Sequence, residues 1–189
     1  MEFDREAAWI DESIHVAARA YILAAVVAEQ GSVDQARARM RSFLRGRRNR
    51  VHWREMSEKQ QLEIAAAITG LGVRAVAVVA TNLDPRKQER ARRKCLERLA
   101  QELDRRRIVT AWVESRGSVA DRRDIRMVDA FRTRGTIGPS LRVGFLPASA
   151  DPMLWIADVF AGALSAAKAG ATAPREVLGQ AVEQVTFDL

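Results

Sequence analysis

Val73-Arg74-Ala75-Val76-Ala77-Val78-Val79-Ala80 is apolar at every position but one. A strand with one face in water alternates between apolar and polar residues, so a nearly unbroken apolar run reads as an interior strand covered on both faces. Its flanks supply the covers. On one side, residues 57–71 carry Leu62, Ile64, Ala65 and Ile68 at helical spacing, with Ser57 as the N-cap candidate and Gly70 and Gly72 as the stop. On the other, Asp84-Pro85 is a helix start, and Ala91, Cys95, Leu96, Leu99 and Leu103 form the buried stripe that follows. Helix, interior strand, helix is the signature of an α/β sheet.

Working outward, residues 7–13 and 20–28 read as two apolar strands joined by the short connection 14–19, which suits an antiparallel hairpin. Residues 32–44 look helical. Beyond the second long helix, 108–113 is a strand, 121–132 a helix buried through Ile125, Val128 and Phe131, and 141–145 a short strand. Asp151-Pro152 then repeats the helix-start pair ahead of an apolar helix, 154–168. The expectation is a mixed sheet of about five strands flanked by helices, forming one domain over residues 1–168. Residues 169–189 read as a C-terminal extension, a loop and a short amphipathic helix packed on the same domain.

At 189 residues, with 48% apolar and 29% charged, the chain can bury an ordinary core. The formal charge of +7 favours anionic partners such as nucleic acid. All but four of the 31 basic residues are arginine, the side chain best suited to bidentate phosphate contacts. Between Arg37 and Arg54 eight arginines occur without an acid. Cys95 is the single cysteine, which excludes an internal disulfide and a multi-cysteine zinc site, and two histidines are too few for a His-based zinc site. The longest apolar helix is interrupted by Asp158, no signal segment is evident, and a cytoplasmic protein without membrane contact is expected, with a homodimer left open.

Three acids fall where core is expected. Trp9-Ile10-Asp11 and Trp112-Val113-Glu114 both run tryptophan, aliphatic, acid, and alternation puts each acid on its tryptophan's face at a strand end. Asp158 lies in Leu154-Trp155-Ile156-Ala157-Asp158-Val159-Phe160-Ala161-Gly162-Ala163, where every neighbour is apolar or small. A buried carboxylate has to be paired, hydrogen-bonded or bound to a metal. Mg or Mn would gather such acids, since both take oxygen ligands, and two such ions can clamp the attacking and leaving oxygens of a phosphodiester. In the other reading the acids are structural: Asp11 caps a turn, Glu114 pairs with Arg116 or another arginine, and Asp158 bonds to a buried donor.

Asp11-Glu12-Ser13, His52-Trp53-Arg54-Glu55, Glu114-Ser115-Arg116 and Ala157-Asp158-Val159-Phe160-Ala161-Gly162-Ala163 occur in that order. In this the chain resembles domain-of-unknown-function family 3800, whose members are similar to RNase H-like proteins. The resemblance spans residues 7 to about 168 and implies an RNase H-like sheet with a metal-dependent nuclease site at Asp11, Glu55, Glu114 and Asp158. Arg45, Arg47, Arg48, Arg50, His52, Arg54 and Arg116 are the candidate nucleic-acid contacts. Glu12 faces away from Asp11 and is expected exposed or paired with an arginine. Asp121 is expected to cap its helix and Asp124 to join an exposed ion pair. Two functions remain open: a Mg- or Mn-dependent nuclease-like hydrolase acting on RNA or DNA, and a non-catalytic RNase H-like module that binds nucleic acid or a protein partner.

Overall fold

The structure, a computed structural model, describes residues 6–189. Six strands form one mixed sheet: β1 (Ala7–His15), β2 (Ala20–Ala28), β3 (Arg74–Thr81), β4 (Thr110–Glu114), β5 (Arg142–Leu146) and β6 (Val182–Asp188). Their order is β5-β4-β1-β2-β3-β6. β2 is antiparallel to both of its neighbours, β1 and β3. β4 joins β1, β5 joins β4 and β6 joins β3 in parallel.

Helices α1 (Gln30–Arg41), α2 (Glu58–Thr69), α5 (Pro152–Lys168) and α6 (Ala173–Leu178) cover one face of the sheet, while α3 (Gln88–Arg105) and α4 (Ser118–Thr133) cover the other. Every residue of β2 is buried, because its odd and even side chains enter two different cores. β3, the run that points to this architecture, is an interior strand as expected. α5 is buried from Pro152 to Ser165; its small residues let it lie close against β1 and β2.

The structure departs from the sequence reading in several places. The sixth strand comes from the C-terminal residues: α6 is followed by β6, which pairs with β3 from Ala75↔Val182 to Thr81↔Asp188. β6 is an edge strand with mostly exposed residues, and its inward alternation is confined to half-buried Val185 and Phe187. In α4 the buried stripe is Asp124, Val128 and Phe131, while Ile125 is 41% exposed; Asp124 takes the first place of the stripe because it pairs with a buried arginine. Leu62 likewise faces solvent rather than the core. Cys95 is fully buried, and burial pushes its thiol up to about 12. Among the described residues no helix is long and apolar enough to cross a membrane.

Candidate functional site: a carboxylate cleft where two parallel strands part

β1 and β4 run parallel with Trp9 beside Trp112 and Ile10 beside Val113. One residue further along, where the β1–β4 pairing ends, Asp11 in the middle of β1 and Glu114 at the end of β4 lie side by side. Both tryptophans pack in the core under α5, so both acids lie on the α5 face. α5 crosses that face and brings Asp158 to them. The three acids line a cleft of about 450 Å³ together with Arg50, His52, Arg54 and Arg116.

Burial governs the electrostatics. Asp11 is 9% exposed, and burial first, then the nearby charges of Asp158 and Glu114, raise its carboxyl well above the usual range. The backbone N–H of Glu12 donates to Asp11 Oδ1 at 2.7 Å and offsets part of this. Glu114 is also raised, chiefly by burial, with Arg50 at 3.5 Å opposing. Asp158 Oδ2 accepts from the backbone N–H of Trp53 at 2.7 Å and meets His52 Nδ1 at 3.0 Å. That bond raises the His52 imidazole against the opposing effect of its partial burial.

The donors are of the kind a hard divalent cation takes: three carboxylates line one cleft, and burial disfavours the charge of two of them. Among the described residues no three His, Cys, Asp or Glu side chains are already close enough to enclose a metal ion. The acids approach pairwise, with one oxygen of Asp158 committed to the Trp53 segment.

Glu55 is not brought to this group. It ends the short 3₁₀ turn Trp53–Glu55, its side chain is half exposed, and it pairs with Arg48 at 3.3 Å outside the cleft. The arginine-rich segment divides: Arg50 and Arg54 reach the cleft, Arg45 and Arg48 border a small adjoining hollow, and Arg47 projects into solvent. Arg54 also donates to the Ile14 carbonyl at 3.2 Å, fastening the segment to the end of β1.

On the opposite face lies a network that the sequence reading missed. Arg92 is 2% exposed and donates to both oxygens of Asp124, to Glu12 and to the Tyr21 hydroxyl. Tyr21 in turn donates to Glu12. Asp124 is therefore a buried partner, not an exposed one, and Glu12 is paired as its face predicts. Asp121 does not cap α4, whose N-cap is Gly117 at φ +97°. It accepts from Ser115 Oγ at 2.6 Å and from the Arg116 backbone at 3.0 Å, tying the loop after β4 to the helix. The signal was present in the sequence: Arg92 falls on the stripe of Cys95, Leu96 and Leu99, and Asp124 on that of Val128 and Phe131.

A central antiparallel trio of strands, extended in parallel by β4 and β5 and covered by helices on both faces, is an RNase H-like fold. Among solved structures the chain is similar to RNase HII from Archaeoglobus fulgidus, determined in complex with PCNA, with a TM-score of 0.57 and 17% identity over 90% of this chain and 78% of that one. At that identity the likeness is one of fold. A scan against family models and a search of curated proteins return no match.

Proposed function

We propose that the chain is a divalent-metal-dependent hydrolase of nucleic-acid phosphodiesters, with Asp11, Glu114 and Asp158 as the residues that hold Mg or Mn. The observation that carries this reading is Asp11, a buried acid whose nearest charged company on the α5 face is two further acids. A buried structural carboxylate is normally answered by a cation, as Asp124 is by Arg92; Asp11 has the Glu12 N–H as a donor but no basic side chain in ion-pair contact among the described residues. The resemblance to family 3800 and the RNase H-like fold support the same reading.

When bound, the metal supplies charge neutralisation at the phosphoryl oxygens and a nucleophile at neutral pH. The chain's own residues do the rest. Asp11 is held by the Glu12 N–H, Asp158 by Trp53, and Glu114 is drawn toward Arg50, so the acids keep fixed positions before substrate arrives. Arg50, Arg54 and Arg116 surround the acids with positive charge, which draws a polyanion in and positions its phosphates. His52, bonded to Asp158, stands at the rim where the arginine-rich segment enters.

A second reading has its own observation. Asp158 is well satisfied by Trp53 and His52 without any metal, as it would be in a non-catalytic RNase H-like module that binds nucleic acid or a protein. Calorimetric titration of Mn into metal-free protein separates the two. The hydrolase binds Mn saturably, loses that binding in a folded Asp11→Asn/Asp158→Asn variant, and cleaves RNA or DNA only with the metal. A module shows neither metal binding nor cleavage.

A further inference from the structure

We infer that a second groove, continuous with the carboxylate cleft, is an anion subsite for the substrate phosphate next to the one attacked. This rests on the hydrolase reading above and adds to it where the neighbouring nucleotide lies. The groove, about 380 Å³, opens at the tip of the β1–β2 hairpin and shares Ser13, Ile14, Val16, Trp53, Arg54 and Gly162 with the cleft. The two form one trough.

Two parallel rows of residues build it. Along β1, Asp11, Ser13 and His15 occupy alternate positions on the α5 face. Along α5, Asp158, Gly162 and Ser165 share one side of the helix. The acids stand at one end of the rows and the hydroxyls at the other. Ser13 is 8% and Ser165 7% exposed, and neither hydroxyl makes a hydrogen bond among the described residues. Helical and turn hydroxyls elsewhere can fold back onto a carbonyl, as Ser42 does to Arg39 and Thr69 to Ala66; Ser13 and Ser165 do not. Both residues line the groove, and with no partner among the described residues their hydroxyls are free to donate to a group seated there.

The rest of the lining agrees on the sign of that acceptor. Among the described residues no aspartate or glutamate lines the groove, whereas the adjoining cleft has four. Arg54 lies at the junction. His15 Nδ1 accepts from the Ala18 N–H at 3.0 Å, which leaves Nε2 to carry the ring proton and donate. Trp53, whose ring sits where a Cβ on Gly162 would fall, forms the apolar floor between acids and hydroxyls. Two residues of strand separate Asp11 from Ser13 by about 7 Å, the scale of a single nucleotide step. A chain with its scissile phosphate over the acids therefore lays its next phosphate among Ser13, Ser165, His15 and Arg54.

The test scans charge along the substrate. Binding of a single-stranded hexanucleotide is measured by fluorescence anisotropy in EDTA, with one phosphate at a time replaced by a neutral methylphosphonate. The wild-type protein should lose roughly tenfold in affinity when the subsite phosphate is neutralised. The Ser13→Ala/Ser165→Ala variant should lose that sensitivity at this position alone, and with active substrate should show a raised KM and little change in kcat. An unchanged sensitivity profile in the variant overturns the subsite, even where metal-dependent cleavage is observed. The expected profile without any cleavage keeps the subsite and overturns the hydrolase reading. Absence of oligonucleotide binding by the wild-type protein in EDTA overturns the subsite, and absence of cleavage with Mn as well overturns the hydrolase reading.

Discussion

Asp158 on α5 accepts the backbone N–H of Trp53 at 2.7 Å across 105 residues of sequence. Through this bond the last long helix of the domain holds the arginine-rich segment 42–56 against the carboxylate cleft, with the His52 ring beside it at 3.0 Å. A single acid thus joins the stability of the basic segment to the chemistry of the site.

Replacing Asp158 separates those two roles. In Asp158→Ala the Trp53 N–H loses its acceptor in a buried setting, which costs about 1–3 kcal/mol and loosens segment 42–56. Limited trypsin digestion should then cut at Arg45, Arg47 and Arg48 faster than in the wild type. Asp158→Asn retains an oxygen acceptor for Trp53, so its melting temperature and cleavage pattern should stay near wild type while Mn affinity and hydrolysis fall sharply. Equal loss of metal binding and folding in both variants would assign Asp158 a structural role only.

Asp11 behaves in the opposite sense. Burial and two neighbouring acids raise its folded pKa, so the protein loses stability as pH rises from the ordinary carboxylate value up to the folded one, and stays without it above. Asp11→Asn removes that charge and keeps an oxygen acceptor for the Glu12 N–H. The metal-free variant should gain roughly 1 kcal/mol at neutral pH, as is common when a functional strain is relieved, and melt about 2–4 °C higher. Cleavage should be abolished. A melting temperature below wild type would show that Asp11 stabilises the fold.

Most of the architecture was legible in the sequence because burial leaves a pattern. The unbroken apolar run in β3, the hairpin of β1 and β2 and the Asp-Pro starts at 84 and 151 each record a local physical demand, and Asp84 and Asp151 do accept from Arg86 and Met153. Asp11, Glu114 and Asp158 stood out as polar residues in apolar company, and the fold brings them into one cleft. What was not legible depended on pairing. β6 is an edge strand whose short alternation, Val185 and Phe187 with Leu189 just beyond, is only half-buried, Glu55 lies on a turn whose direction no local pattern sets, and Arg92 and Asp124, though each falls on a buried stripe, have a meaning only once each is known to face the other.

Gly162 lies against Trp53, with a Cβ placed there only 2.2 Å from the indole Cγ. Gly162→Ala must therefore displace a ring that packs in the core beside the Asp158–Trp53 bond. Overpacking of this kind costs about 1–3 kcal/mol. Intrinsic tryptophan fluorescence should shift as the ring moves, and a smaller partner should relieve the strain: Gly162→Ala combined with Trp53→Leu should be less destabilised than the sum of the two single variants. Additive losses would indicate that the helix moves instead of the ring.

Asp151 supplies the acid-sensitive lock of the fold. It accepts from Trp9 Nε1 at 3.0 Å, from Arg37 at 2.7 and 3.0 Å and from the Met153 N–H at 3.0 Å, joining β1, α1 and α5. Burial raises its carboxyl, but the Arg37 and Met153 hydrogen bonds outweigh this and hold it below the ordinary value. Its contribution is then present above the unfolded carboxylate pKa and is lost as pH falls through the lower folded one. Arg37→Gln should lower stability at neutral pH by about 1–3 kcal/mol and make the acid limb of the melting-temperature profile shallower. A parallel downward displacement at every pH would mean that Arg37 acts through packing instead.

Arg92 presents the largest risk to the fold. Its guanidinium is buried between Glu12 and Asp124, and Tyr21 completes the set; among the described residues Asp124 is neutralised by Arg92 and, at 3.5 Å, by Arg116. Arg92→Ala leaves two carboxylates without their main counter-charge and should cost about 3–5 kcal/mol, enough to unfold a marginal domain. Removing the charges together is a different experiment. Arg92→Met with Asp124→Leu and Glu12→Gln replaces the network by packed apolar groups and a neutral partner for Tyr21, and should recover most of the stability in urea titrations. The triple variant also tests the link between faces, because the Glu12 backbone N–H holds Asp11: with the fold restored, any fall in Mn affinity reports how far the Glu12 side chain on one face positions the Asp11 carboxylate on the other.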